Sequence, residues 1–272
     1  MQVENYSNTI LDSHILPSVF LKRDVIIDFY FPPGVSINSP DVSLLLINDG
    51  QDLITMDFHS ILENLYFQEE IAPLLCVGIH CGPDRRQEYG TANALPYNGY
   101  GTRAGLYTRF IFEELLPFIN KEYTLPPFKE KAFCGFSLGG LTALDIVWNH
   151  APYFSKVGVF SGSLWWRSVD HLDPSFKEED HRIIHNEVKA GIYSPGLKFF
   201  FETGTLDEVA DRNNNGIIDS IDDTLCLIHD LELKGYNPRE DIFYLELPDG
   251  RHNVATWARA FPVFLKWCWG IK

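Results

Sequence analysis

The sequence predicts an α/β protein in which a mostly parallel central sheet carries helices on both faces. Three observations predict it. From about residue 42 onward, strand-like and helix-like runs alternate, the pattern of repeated strand–helix units. Runs such as residues 42–47 and 73–79 are apolar nearly throughout, as strands buried on both sides must be. Residues 131–148 join a strand to a helix through Gly-Phe-Ser-Leu-Gly-Gly, a turn that needs small residues.

Taken in order, residues 19–31 are rich in β-branched and aromatic residues and end at Pro32-Pro33-Gly34, a strand and its turn. Residues 42–47 form a buried strand closed by Asn48-Asp49-Gly50, and helical spacing follows over 54–67. Residues 73–79 are the next strand. A long polar segment over 80–102, rich in Gly, Asn and Tyr, has the length of a functional loop. Residues 105–120 are helical, with Phe110, Ile111, Leu115 and Phe118 near one face. Strand 131–134, helix 141–148 and strand 157–160 follow. Residues 173–180 are irregular and 181–189 helical. Strand 197–201, helix 225–234 ended by Gly235, strand 242–247 and helix 254–269 complete the chain. Open sheets of this kind bind ligands beyond the carboxyl ends of their strands.

Nothing in the composition divides the 272 residues, so one domain is expected, with 211–222 as an insertion. A charge of −15 argues against nucleic acid and anionic membrane surfaces as partners. Residues 1–7 lack a basic segment followed by an apolar stretch, and the five cysteines show no C-x-x-C spacing. Reduced thiols and a cytoplasmic address are expected, or a secreted one if a leader has been removed.

Residues 135–139 read Gly-x-Ser-x-Gly between a strand and a helix, a nucleophile elbow. Ser137 then stands at the carboxyl end of the sheet. A serine hydroxyl is a poor nucleophile at neutral pH and needs a base, itself oriented by an acid. His252, in the loop after strand 242–247, is the base candidate; the other eight histidines lie on elements or precede the strand that should carry the acid. That strand is 197–201. It is followed by Glu202-Thr-Gly-Thr-Leu-Asp207-Glu208, where Asp207 is the candidate, Glu208 the alternative, and Glu202 sits far back on the strand. An oxyanion needs two N–H donors: Leu138, after the nucleophile, and Gln51, in the loop after strand 42–47.

Together these segments resemble the esterase branch of the α/β-hydrolase superfamily, which holds S-formylglutathione hydrolases, enterochelin esterases, feruloyl and acetyl-xylan esterases and mycolyltransferases. The resembling stretches are LLLINDGQDL (44–53), RRQEYGT with Arg86, Glu88 and Tyr89, EELLPFINKEY (113–123), CGFSLGGLTAL (134–144), VFSGSLWW (159–166), ETGTLDE (202–208) and GRHNVATWARAFPVFLKW (250–267). The resemblance implies an α/β-hydrolase fold, a Ser137–Asp207–His252 triad, Gln51 as the second oxyanion donor and a small acyl or aryl ester substrate. The expectation is a serine carboxylesterase without an organic cofactor. An acyltransferase using the same triad, or a non-catalytic calcium-dependent binding module, are the alternatives. Leu follows the serine where many S-formylglutathione hydrolases have Met. Trp165 and Trp166 are expected either to line a substrate pocket or to pack in the core. The sequence leaves oligomeric state open.

Residues 211–222 carry a second motif. Asp211, Asn213, Asn215, Asp219 and Asp222 place side-chain oxygens at loop positions 1, 3, 5, 9 and 12 of an EF-hand pattern, with Gly216 at 6 and the Ile217 carbonyl at 7. The loop resembles those of dockerins, with Asp in place of Glu at the last position. A structural calcium ion holding the connection after Asp207 is expected.

Overall fold

The computed structural model describes residues 9–34, 39–123 and 127–271; residues 1–7, read above for a leader, lie outside them. Eight strands form one sheet: β1 (Ile10–Ser18), β2 (Arg23–Phe31), β3 (Ser43–Asn48), β4 (Leu74–Ile79), β5 (Lys131–Phe136), β6 (Lys156–Phe160), β7 (Lys198–Gly204) and β8 (Ile242–Leu247). Their order is β1-β2-β4-β3-β5-β6-β7-β8. β1 and β2 pair antiparallel, β2 runs antiparallel to β4, and β3 to β8 are all parallel.

The helices are α1 (Asp52–Thr55), α2 (Phe58–Phe67), α3 (Arg85–Glu88), α4 (Ala104–Arg109), a π-helical segment Phe110–Leu115, α5 (Leu116–Tyr123), α6 (Leu138–Asn149), α7 (Glu178–His181), α8 (Ile183–Ala190), α9 (Asp219–Lys234) and α10 (Val254–Trp269). β3 and β4 are buried at every position, which explains their unbroken apolar sequences. Their side chains alternate between two cores. Leu44 and Leu46 join α4–α6, α8 and α9 on one face, whereas Leu45 and Ile47 join α1, α2 and α10 on the other. After β4 the chain steps back across β3 to form β5, so the strand order reverses between β3 and β5. Their carboxyl ends open the crevice in which such sheets hold ligands.

Four sequence readings change. The strand read over 19–31 is the second arm of a hairpin whose first arm, β1, was not foreseen. The turn uses Lys22 at φ 57° in place of Gly or Asn, so no turn signal marks it. The helix read over 54–67 breaks at Asp57, also left-handed at φ 55°. The run 105–120 widens into the π-helical segment between α4 and α5. Helix α9 begins at Asp219 instead of 225, because the last third of the acidic loop is the helix's own first turn. All five cysteines are free. Among the described residues no helix is long and apolar enough to cross a membrane.

Candidate active site

Ser137 sits between β5 and α6 at φ 55°, ψ −121°, a strained conformation for a residue with a side chain. Its N–H donates to the Phe160 carbonyl at 2.9 Å, and its own carbonyl accepts from Ser163 N–H at 3.1 Å. The chain after β6 therefore clamps the elbow. The turn is tight enough that a methyl on Gly135 would lie 2.4 Å from the Gly139 carbonyl. The Ser163 hydroxyl stands 3.3 Å from the Ser137 hydroxyl.

The loop after β3 packs against this elbow. Asn48 donates to the Gly139 carbonyl at 2.8 Å and accepts from the Tyr107 hydroxyl at 2.6 Å. Asp49, 1% exposed and at φ 60°, receives both arms of the Arg85 guanidinium at 2.7 Å each. Its N–H donates to the Tyr89 hydroxyl at 3.2 Å. Arg85 also donates to the Phe136 carbonyl at 3.3 Å, so one side chain ties this loop to the residue before Ser137. Gln51 caps α1, and its side-chain oxygen accepts from Cys81 N–H at 3.1 Å. Among the described residues, the backbone N–H groups of Gln51 and Leu138 donate to no protein acceptor. Each stands at the start of a helix, Gln51 before α1 and Leu138 at the head of α6, where N–H groups are free to bind a ligand oxygen.

Asp207 and His252 leave β7 and β8 on adjoining loops. A methyl on Gly204 would lie 2.3 Å from the carbonyl carbon of Gly250, so glycine at 204 lets the two loops meet. Leu206 N–H donates to the Gly250 carbonyl at 2.8 Å, and Thr205 N–H to that of Leu247 at 3.0 Å. One oxygen of Asp207 accepts from Gly204 N–H at 3.1 Å, and the other is buried without a partner.

His252 stands on an exposed loop, yet its ring meets enough protein for desolvation to lower its pKa. The Asp207 carboxylate pulls that pKa up and the Arg85 cation pushes it down. Its ring meets Trp257 edge-on at 5.5 Å, and Trp257 stacks on Phe136 at 4.9 Å and donates to the Ser161 hydroxyl at 3.0 Å. In this arrangement His252 makes no hydrogen bond to Ser137 or Asp207 among the described residues, the loose geometry common in ligand-free sites. Glu208 faces elsewhere: burial raises its pKa, with Ser220, Asp219 and Asp223 of α9 as neighbours. Of the two acids left open by the sequence, Asp207 is the one whose charge acts on His252.

The segment 80–104 is anchored, not loose. Glu88, fully buried, pairs with Arg23 at 2.8 Å, Gly90 N–H donates to Thr142 at 2.8 Å, and Ala92 N–H donates to Asp145 at 3.1 Å. Trp166 is fully buried beneath this segment, against Gly90 and Gly101, which makes it core. Trp165 is 37% exposed. Sequence reasoning missed Arg85 and Ser163, and weighed Glu202 only as a triad acid lying far back on its strand. Arg85 adjoins the motif residues 86–89, and Ser163 lies inside VFSGSLWW, but their contacts span 36 and 26 positions and leave no local pattern.

In 211–222, the Asp211 carboxylate accepts from Asn215 N–H at 3.0 Å and Gly216 N–H at 2.9 Å, and Asn215 accepts from Ile217 N–H at 2.8 Å. The amides of Asn213 and Asn215 donate to Asp222 at 3.2 and 2.9 Å. Arg212 pairs with Asp219 at 2.9 Å and lies 3.7 Å from Asp222. It also reaches Asp223 at 2.6 Å and Glu178 at 2.5 Å. Among the described residues no group of three or more His, Cys, Asp and Glu side chains is arranged to hold a metal ion.

No curated protein sequence matches the chain. Solved structures share the fold. An enterochelin esterase from Shigella flexneri is 21% identical with a TM-score of 0.71, covering 96% of this chain and 58% of that one. The siderophore hydrolase EstB from Aspergillus nidulans is 18% identical with a TM-score of 0.68, covering 97% and 98%. A ferulic acid esterase is 16% identical with a TM-score of 0.68, covering 96% and 98%. The chain thus spans little more than half the length of the enterochelin esterase it matches. The expected α/β-hydrolase arrangement, a mostly parallel sheet flanked by helices, is met. Residues 18–268 match the family described as "Putative esterase", and the chain belongs to that family.

Proposed function

We propose that the chain is a serine carboxylesterase acting on a small acyl or aryl ester. The observation that supports this reading is a strained serine at the elbow after β5, two N–H groups without a protein acceptor on the loops after β3 and β5, and an Asp207 charge acting on His252 from the adjoining loops after β7 and β8. His252 takes the Ser137 proton as the oxygen attacks the ester carbonyl. The N–H groups of Leu138 and Gln51 receive the oxyanion, each contributing about 3 kcal/mol to the transition state. The alcohol leaves with the proton held by His252. Water, deprotonated by the same imidazole, then releases the acid. Asp207 orients the ring and stabilises its charged form. Trp165 and Leu206, both exposed beside these loops, support an aromatic or apolar group on the substrate. The structural neighbours, an enterochelin esterase, a siderophore hydrolase and a ferulic acid esterase, lean the same way.

The test is a panel of aryl acetates, feruloyl esters and catecholate esters run with wild type and Ser137→Ala. Turnover that drops about 10⁴-fold or more in the variant, with wild-type Ser137 labelled by a fluorophosphonate, is the expected result. A variant that turns over like wild type overturns the reading.

We further propose that 211–222 binds calcium and braces the acid loop. Support comes from the order of oxygen-bearing residues, the curl of the loop around Asp211, and Asp222 facing Asn213 and Asn215. Arg212 opposes the ion, since it already neutralises Asp219. Calcium added to chelator-treated protein is expected to raise Tm, and Asp222→Ala to abolish the gain. An unchanged Tm at millimolar calcium discards the proposal.

A further inference from the structure

Glu202 is the third residue from the end of β7, paired in register with Phe160 on one side and Leu245 on the other. Strand alternation puts it on the face of Phe200, toward α10 and the His252 loop. It is 1% exposed, and both carboxyl oxygens are buried with no hydrogen-bond partner. The charged or titratable groups that face it are Asp207 on its own connection, Tyr244 of β8 and Arg259 of α10, with the Ser161 hydroxyl after β6 beside them. Arg259 gives little relief: it is exposed and already holds Asp249 at 2.8 and 3.2 Å. The Ser161 hydroxyl accepts from Trp257 and keeps its own proton to turn toward Glu202, a pull smaller than the burial that opposes it. The nearest anion, Asp207, also has a buried oxygen without a partner.

Two carboxyl groups therefore act on each other in a poorly solvated region, and only one of them, Asp207, acts on the histidine. An unpaired carboxylate so deeply buried is costly, and the group escapes the cost by keeping its proton. Burial first, and the Asp207 charge second, push the Glu202 pKa up to about 8, against a smaller opposing pull from Ser161.

We propose that Glu202 is a positioning residue for the acid–histidine pair. As a neutral carboxyl it leaves Asp207 the single anion turned toward His252. On losing its proton it sets a second anion against Asp207, which is held by one N–H alone, and drives it away from the imidazole. The inference rests on the Ser137–His252–Asp207 reading above.

The test compares wild type with Glu202→Gln from pH 5 to 10, using a neutral aryl acetate for kcat/KM, fluorophosphonate labelling of Ser137 for nucleophile reactivity, and Tm at each pH. Wild type is expected to lose activity and labelling rate about tenfold through one ionisation near pH 8 while still folded. Glu202→Gln is expected to keep neutral-pH activity within about threefold and to lose that alkaline fall, with its acid limb unmoved. Its Tm is expected to exceed wild type at pH 9 and to match it at pH 5. The sign follows because a raised carboxyl pKa makes the native state hold its proton more tightly, so stability drains as pH rises toward that pKa. Identical alkaline limbs in the two proteins overturn the inference but leave the hydrolase reading standing. A chain that neither turns over nor labels overturns both. If the variant does not fold, carbon NMR of labelled glutamate in wild type decides: a Glu202 midpoint below pH 7 refutes the proposal, and one at 7 or above supports it.

Discussion

In the proposed mechanism His252 sets the acid side of the pH response. Desolvation and the Arg85 cation hold its pKa below the ordinary 6.5, against the pull of Asp207, so it remains a free base into mildly acid solution. The acid limb of kcat/KM is accordingly expected below pH 6.5. Arg85→Gln removes a cation that lowers that pKa, so the limb moves to higher pH. It also frees Asp49 and the Gln51 loop, so kcat falls as well. A pH–rate series on both proteins checks the sign. Asp207 and Glu208, neighbours in sequence, are expected to separate cleanly. Asp207→Asn lowers kcat by about 10⁴-fold through loss of ring orientation, whereas Glu208→Gln, directed at α9, stays within about threefold. Equal losses from the two substitutions contradict the geometry.

At the level of elements, the acid and base loops depend on the contact between Gly204 and Gly250. Gly204→Ala places a methyl 2.3 Å from backbone that cannot yield. Its expected cost is about 2–3 kcal/mol of stability, seen in thermal melts, with a larger loss of kcat than of substrate binding. How much of this was legible in the sequence follows from the range of each signal. The elbow could be read because its strand, strained serine and helix occupy consecutive residues. β3, β4 and the histidine loop could be read because burial on both faces and a capped helix start are local patterns. Asn253 indeed caps α10 by accepting from Thr256 N–H at 3.0 Å. β1 was missed because a lysine makes its turn. Arg85 and Ser163 were missed, and Glu202 was weighed for the wrong role, because their meaning lies in partners brought close only by sheet order. Trp165 and Trp166 show the limit: adjacent identical residues, one exposed and one sealed in the core, differ only in which way the backbone faces.

Across the whole molecule, a buried cluster links the outlying segments. Asp223, 1% exposed, meets Arg167 at 2.9 Å and Arg212 at 2.6 Å, with Arg182 3.7 Å away, and so fastens the chain after β6 to α9 and the acidic loop. Asp223→Ala removes the buried anion these arginines share, leaving them Glu178 and, for Arg212, Asp219, and is expected to cost about 3 kcal/mol, measurable by urea titration. The sheet itself distributes protection unevenly. β3 and β4 lie in its middle, whereas β8 is its last strand and is only half-buried along most of its length. The imidazole hangs from that margin. Gentle heating should fray the border first and silence catalysis at temperatures where circular dichroism still reports an intact fold, with recovery on cooling.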